Sequence, residues 1–234
     1  MALADWELLT ADKLRDTAGK ITREEIGRMI AQAAHRYSGV NPRMLVTDLL
    51  GDGAAFLFAL PATYIEGFSR PVSVEYPIGK QDPQFLDDKD DFQIEAADQD
   101  PTTGAPRLRL RSLVLKSGAK ARLLYTALHQ VAATVDTVPI VDREACCALA
   151  ASYGCRQLAS YYAQTSDSTL GAATMSYRDK AKIYADQAVL LEQEFNNHCG
   201  IPKDGVFAAS VSRDQDVDLQ SGAGDRFYHP RIWR

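Results

Sequence analysis

The chain has 234 residues, of which 46% are hydrophobic and 24% are charged, and its formal net charge at pH 7 is -5. This composition predicts a folded protein with a buried core, as one large domain or two small ones. The negative charge argues against a general nucleic-acid-binding surface, which would be basic. No window reaches the ~18 apolar residues of a membrane span, and the first residues lack the pattern of a signal peptide. We therefore expect synthesis in the cytoplasm and no membrane partner.

The first block of the chain has the signature of two helices. Residues 10–20 predict a short helix. Thr22 followed by Glu25 is a capping-box pattern, which predicts the start of a second helix with a stronger sequence signal. Gly39, Asn41 and Pro42 predict its end. The apolar face of this second helix comprises Ile26, Met29, Ile30, Ala33 and Tyr37.

The second block changes to extended segments separated by turn residues. The predicted strands cover residues 44–50, 54–60, 72–76, 92–96, 108–115 and 122–128. Gly51, Asp52 and Gly53 stand between two apolar runs, as in a hairpin turn, and residues 107–111 alternate arginine with leucine, as in a half-solvated strand. These patterns predict a small antiparallel β-domain.

The third block predicts a helical hairpin. Asp142 offers a side-chain acceptor at the start of its first helix, whose small residues allow close packing against a neighbour. Residues 164–175 form a polar loop, after which Thr174 or Ser176 would cap the second helix. The apolar face of that helix comprises Tyr177, Ala181, Tyr184, Ala188, Leu191 and Phe195.

Three segments of this hairpin carry a resemblance: 141–145 (VDREA), 155–163 (CRQLASYYA) and 177–181 (YRDKA), with Tyr184 after them. In these segments the chain resembles the head-tail connector proteins of tailed double-stranded DNA bacteriophages, also called adaptor or head-completion proteins. The resemblance covers about a quarter of the chain. Short members of that family are mostly helical, so a β-domain of this size departs from their pattern.

The resemblance implies a structural role in the neck of the virion. A connector of this kind docks beneath the portal protein as a ring of about twelve copies, binds a downstream neck or tail protein, and lines the DNA exit channel. Genomic DNA would pass through the ring during ejection without sequence-specific binding. The implied location is the head-tail interface of the virion.

The residues after Gly200 predict an extended tail, because Pro202 blocks continuation of the helix and helical periodicity does not return. The last nine residues combine arginines with aromatic side chains, which are enriched at interface hot spots. They would either fold back on their own domain or anchor the chain to a partner, and the resemblance favours a portal anchor. The predicted portal-binding residues are Arg226, Phe227, Tyr228, Arg231, Ile232, Trp233 and Arg234.

Clustered carboxylates between residues 82 and 100 raise the possibility of a Ca²⁺ or Mg²⁺ site, but they lack the ligand order and glycine of an EF-hand. A solvated loop is the favoured interpretation. In a channel-lining protein such a loop would repel DNA so that the genome slides past. The predicted channel-facing residues are Asp87, Asp88, Asp90 and Asp91.

The sequence contains no recognisable catalytic pattern. The four histidines (His35, His129, His198 and His229) are scattered, and no HExxH, GxGxxG, Walker or GxSxG motif occurs. The cysteines Cys146, Cys147, Cys155 and Cys199 lack CxxC spacing and are expected to be buried free thiols. We therefore predict no catalytic residue, cofactor or metal. The alternative is an enzyme or regulatory binding module whose site is too dispersed to recognise.

Together these patterns predict an α+β fold. Residues 1–42 and 136–200 would form one helical bundle, residues 43–135 an inserted antiparallel β-domain, and residues 201–234 an extended C-terminal tail.

Overall fold

The structure is a computed structural model that describes residues 3–16, 18–87, 90–96, 105–165 and 171–202, except for the side chains of 171–178. Its fold is α+β, as predicted, with long helices at both ends and antiparallel sheets between them. The contacts group Met1–Gly200 into one compact unit and Ile201–Arg234 into a second. All the elements below belong to the first unit. The predicted extended tail beyond residue 202 lies outside the described residues.

The described helices are α1 (Leu3–Leu14), α2 (Arg23–Val40), α3 (Arg143–Gln164) and α4 (Gly171–His198). The capping box at the start of α2 is confirmed: the Thr22 hydroxyl accepts from the Glu25 N–H at 3.3 Å, and the Glu25 carboxylate accepts from the Thr22 N–H at 2.7 Å. The prediction for α1 was wrong in its bounds. Its buried face is built from Trp6, Thr10 and Leu14, whose spacing of four residues starts the helix earlier.

The helical hairpin is confirmed, and α3 lies at the centre of the bundle, in contact with α1, α2 and α4. Its small side chains are buried, as the sequence predicted. A Cβ atom added at Gly154 would lie 2.8 Å from Leu14 Cδ1, so this position is closely packed against the end of α1. The predicted cap at Thr174 or Ser176 is wrong because α4 already begins at Gly171. The alanines that follow Gly171 have high helix propensity, which supports this earlier start.

The β-domain consists of two antiparallel sheets around a shared core. The strands are β1 (Arg43–Leu50), β2 (Leu57–Ala59), β3 (Pro71–Glu75), β4 (Phe85–Leu86), β5 (Phe92–Glu95), β6 (Arg107–Leu110) and β7 (Lys120–Ala127). One sheet has the order β1-β7-β3-β4, and the other has the order β2-β6-β5. Val74, Leu108 and Leu123 are fully buried between them.

The predicted hairpin between β1 and β2 is wrong. β1 pairs with β7 and β2 pairs with β6, so the chain crosses from one sheet to the other at Gly51. Gly51 is needed there for close approach, since a Cβ atom on it would lie only 2.4 Å from Leu115 Cβ. The strands predicted over 54–60 and 108–115 are shorter in the structure, and β4 was not predicted.

Among the helices in the described ranges, none combines the length and the apolar character that crossing a membrane requires.

Candidate interaction surfaces

An open groove lies on the helical bundle between α1, the first turn of α3, and α4. It has a volume of about 880 Å³. Leu9 and Ile140 contribute apolar walls, and Gln187 of α4 lies at its side, where its amide donates to the Lys13 carbonyl oxygen at 3.0 Å. Its volume is in the range of small-molecule sites, and its open form and mixed lining would also accept a side chain or short segment of a protein partner.

Ion pairs balance the charges in the groove. Lys13 Nζ lies 2.8 Å from a Glu194 oxygen and 3.4 Å from a Glu144 oxygen. Burial alone lowers the pKa of Lys13, but Glu194 and then Glu144 outweigh it, so the pKa is raised above its ordinary value. The lysine therefore stays charged and tied to its carboxylates, which leaves the groove without a strong single-sign field.

A second ion pair, between Arg143 and Asp136, joins the wall of the groove to the segment before α3. Arg143 Nη2 lies 3.0 Å from Asp136 Oδ2, and the Trp6 indole N–H donates to the same oxygen at 3.0 Å. The side chain of Asp136 is only 4% exposed. A buried carboxylate held by two donors joins α1, α3 and the preceding loop, so we expect this wall to be rigid.

Exposed apolar side chains surround the groove. A short 3₁₀ helix, Ile140–Asp142, precedes α3, and its Ile140 and Val141 are 76% and 70% exposed. On α1, Leu9 lines the groove and is 37% exposed. Neighbouring large apolar residues at this exposure are unfavourable in water, which makes this surface a candidate for contact with another protein.

A polar cluster joins the end of α2, the 3₁₀ helix and the end of α4. Asp142 accepts a hydrogen bond from the Tyr37 hydroxyl at 2.5 Å and contacts His198 Nε2 at 2.7 Å. The Asn41 amide donates to the Tyr37 oxygen at 2.6 Å, while the Asn41 carbonyl contacts His129 Nε2 at 3.0 Å. The cluster therefore connects the helical bundle with the segment that follows β7.

The sequence did predict Asp142 at the start of α3, but its predicted role was wrong. The residue occupies the N-cap position and makes no side-chain capping bond. Its carboxylate is directed instead to Tyr37 and His198, which are distant in sequence. No local pattern around Asp142 distinguishes these two roles, so sequence reasoning missed the cluster.

The same cluster lines a cavity of about 320 Å³, which Cys199 also reaches. Burial raises the pKa of the Cys199 thiol to about 11, with Asp142 adding to the shift and Arg36 opposing it. Burial, and then the hydrogen bond to Asp142, also raises the pKa of Tyr37. Thiol and phenol are both protonated near neutral pH, so neither is an activated nucleophile.

The predicted acidic loop lies at the turn between β4 and β5. Asp87 and Asp90 are exposed. Asp91 is engaged within the turn: its carboxylate accepts from the Ser112 hydroxyl and from the Asp87 N–H. The Ser112 bond, followed by the Asp87 bond, lowers the pKa of Asp91. Asp88 lies outside the described residues.

The predicted portal-binding residues Arg226, Phe227, Tyr228, Arg231, Ile232, Trp233 and Arg234 also lie outside the described residues. Three of the four cysteines, Cys146, Cys147 and Cys155, are buried free thiols, as expected, and Cys199 is a half-buried free thiol. Within the described ranges, no three histidine, cysteine or carboxylate side chains come together in a way that would hold a metal ion.

The chain was compared with known proteins. No protein-family model matches it, and no curated protein matches its sequence.

Proposed function

We propose that this protein is a structural adaptor in the neck of a tailed phage virion. It would dock as a ring beneath the portal, join the head to the next neck or tail protein, and line the channel through which the genome leaves. In this role the protein positions its partners and performs no chemical reaction.

The helical hairpin is the observation that carries this proposal. Most of the segments on which the family resemblance rests belong to two long helices, and the first half of α3, from Ala145 to Ser152, is buried at the centre of the bundle. Close packing of small side chains makes this body stiff, which suits a part that must keep its shape under the load of a packaged genome.

The groove supplies a surface on which the portal would dock. Its Lys13 is held by two carboxylates, and its lining includes exposed Leu9 and Ile140. Such a surface favours a protein partner over DNA, because DNA binding requires unpaired basic groups facing the phosphates. We assign the portal as its occupant.

Co-expression of the full chain with the portal protein of its source genome tests the proposal directly. Electron microscopy of the purified complex is expected to show a ring of this protein below the portal, with about twelve copies. Failure of the two proteins to co-purify, or portal particles without added density, would overturn the proposal. Genes for capsid, portal and tail proteins next to this one would support it independently.

Deletion of residues 226–234 tests the proposed anchor separately. We expect the shortened chain to keep its far-ultraviolet circular dichroism spectrum and lose portal binding. As a control, residues 214–222 are replaced by a Gly/Ser segment of equal length, which keeps the last nine residues and should keep binding. Retained binding after the deletion would remove the anchor from the proposal without affecting the adaptor role.

A second candidate function, an enzyme, has one observation in its favour: the His198–Asp142 contact beside Cys199 in a cavity. Iodoacetamide labelling at pH 7 tests it. A protonated thiol should react slowly at Cys199, and its rate should not change in His198→Ala. Rapid labelling of Cys199 that depends on His198 would favour the enzyme and count against a purely structural role.

A further inference from the structure

The first strand of the larger sheet has an open edge. β1 lies at the end of the order β1-β7-β3-β4, and in the described part of the chain β7 is the only strand that pairs with it. It is eight residues long, as is β7. An edge of this length exposes a row of main-chain donors and acceptors, which makes it a template for a further strand.

The register identifies the residues that face this edge. The Gly51 N–H donates to the Ala119 carbonyl, so the residues of β1 at odd positions exchange hydrogen bonds with β7. The N–H and C=O groups at even positions therefore point away from β7. The edge-facing residues are Met44, Val46, Asp48 and Leu50.

The same four residues direct their side chains to the solvent face of the sheet, where Met44, Val46 and Leu50 are 48%, 56% and 63% exposed. The usual features that block an edge are missing. The strand has no internal proline or lysine. Its one edge-facing charge, Asp48, is paired with Arg122 Nε at 3.0 Å. Both the open edge and the apolar face therefore lack a cover among the described residues.

We propose that two copies of the free protein pair through β1, antiparallel, about a twofold axis at Thr47. Met44 then lies opposite Leu50 of the second copy, and Val46 lies opposite Asp48 of the second copy. This register uses all four edge-facing residues, and each opposite pair exchanges two main-chain hydrogen bonds. The two four-stranded sheets become one continuous sheet across the dimer.

Charge disfavours one neighbouring register, and the bounds of the strand disfavour the other, in which Val46 would lie opposite Val46 and Leu50 opposite Pro42, which has no N–H to donate. A shift that places Asp48 opposite Asp48 of the second copy brings like charges together, which is destabilising in a sheet. A parallel arrangement also brings identical residues side by side. The antiparallel register centred on Thr47 keeps the two aspartates in separate rows and pairs Met44 with Leu50, so exposed apolar area is buried on both copies.

This pairing goes beyond the adaptor function and does not depend on it. A twofold contact is isologous, whereas the contacts of a cyclic ring are heterologous, so the same edge cannot serve both. We therefore assign the pair to the free protein, where it covers the open edge, and we assign any ring contacts to other surfaces.

Sedimentation of the full-length protein tests the pairing. We expect a dimer in the micromolar range that Val46→Asp weakens at least ~10-fold in Kd, because it places a carboxylate opposite Asp48 of the second copy. Val46→Lys should keep the dimer, since the lysine faces that same aspartate. Val189→Asp is the matched control, because Val189 is similarly exposed, at 51%, but lies on α4 of the helical bundle and away from β1.

Three results would overturn the proposal. They are a wild-type chain that stays monomeric at about 100 μM, equal weakening by Val46→Asp and Val46→Lys, and equal weakening by Val189→Asp. Portal binding is measured on the same variants. Val46 is not part of the proposed portal surface. A Val46→Asp variant that loses the dimer and still binds the portal would therefore show that the two proposals can be tested separately.

Cross-linking tests the axis at Thr47. In the proposed register Thr47 lies opposite Thr47 of the second copy in a non-hydrogen-bonded pair, at a Cα separation of about 4.5 Å, which a disulfide can span. In a Cys199→Ser background, Thr47→Cys should give a disulfide-linked dimer on mild oxidation. Leu124→Cys, on β7, should not, because this strand pairs with β1 on one side and with β3 on the other. Absence of the Thr47→Cys dimer, or equal cross-linking by both variants, would reject this register.

Discussion

At the scale of single residues, Asp142 joins helices that are distant in sequence. Its carboxylate connects Tyr37 of α2 with His198 of α4 across the 3₁₀ helix. Burial alone raises its pKa, but the hydrogen bonds from Tyr37 and His198 outweigh burial, so its pKa lies below the ordinary 3.8. The charged form is therefore the one that stabilises the fold.

The variant Asp142→Asn should lower the free energy of unfolding by about 2 kcal/mol at pH 7, because it removes the charge from two hydrogen bonds. The sign of the pH dependence follows from the lowered pKa. The contribution of Asp142 is complete above its unfolded pKa of ~3.9 and is lost as pH falls through the lower folded value. Urea unfolding of wild type and variant should therefore give curves that converge below about pH 4.

The exposed turn residue Asp90 provides the control for this measurement. Asp90→Asn should change the free energy of unfolding by less than ~0.5 kcal/mol at either pH. A difference between Asp142→Asn and wild type that stays constant from pH 7 to pH 3 would contradict the assignment of the charged carboxylate as the stabilising group.

At the scale of elements, the helices were predictable because their signals are local. The Thr22 capping box and the spacing of Ile26, Met29 and Ile30 fix α2 within a short stretch of sequence. The strands were predictable in position and not in pairing. The sequence around Gly51 predicts a turn. In the structure a glycine is needed there because the backbone passes close to Leu115, which is remote in sequence.

The candidate surfaces were less accessible to sequence reasoning than the fold. The apolar residues Ile140 and Val141 continue smoothly into the α3 pattern, so nothing in the sequence marks them as exposed. The open edge of β1 also depends on which strands pair with each other. β1 pairs with β7, which lies far along the chain: Arg43, for example, lies opposite Ala127. Surfaces of this kind follow from tertiary packing, which local patterns do not encode.

The packing of α3 gives a prediction for the helical hairpin. Ala151 is fully buried, in the same cluster as Leu14, Leu158 and Ala188. Ala151→Leu should lower the free energy of unfolding by about 1–3 kcal/mol, because the larger side chain has no space beside these neighbours. Chemical denaturation measures the change. Ala163→Leu, an exposed position on the same helix, is the control and should be nearly neutral. Equal stability of both variants would show that α3 is loosely packed.

At the scale of the whole molecule, the bundle and the β-domain behave as one compact unit, so a partner that holds the groove also positions the β-domain. His129, which follows β7, makes the connection: its N–H donates to the Ser38 hydroxyl of α2 at 2.9 Å, and its ring contacts the Asn41 carbonyl. A compact unit of this kind would transmit the position of a partner held in the groove to whatever the β-domain contacts.

The groove gives the last prediction, which concerns assembly. Ile140→Asp places a charge in the middle of the exposed apolar rim, where docking of a portal subunit would have to desolvate it. Portal affinity, measured by biolayer interferometry on the assembled portal, should fall at least ~10-fold, a loss of about 1.4 kcal/mol per contact. Unfolding stability should hardly change, since Ile140 is exposed in the free protein. Val114→Asp, an exposed position in the β-domain, is the matched control. If both variants bind the portal as wild type does, the groove is not the docking surface; if both lose binding equally, the effect is one of added charge and not of the groove.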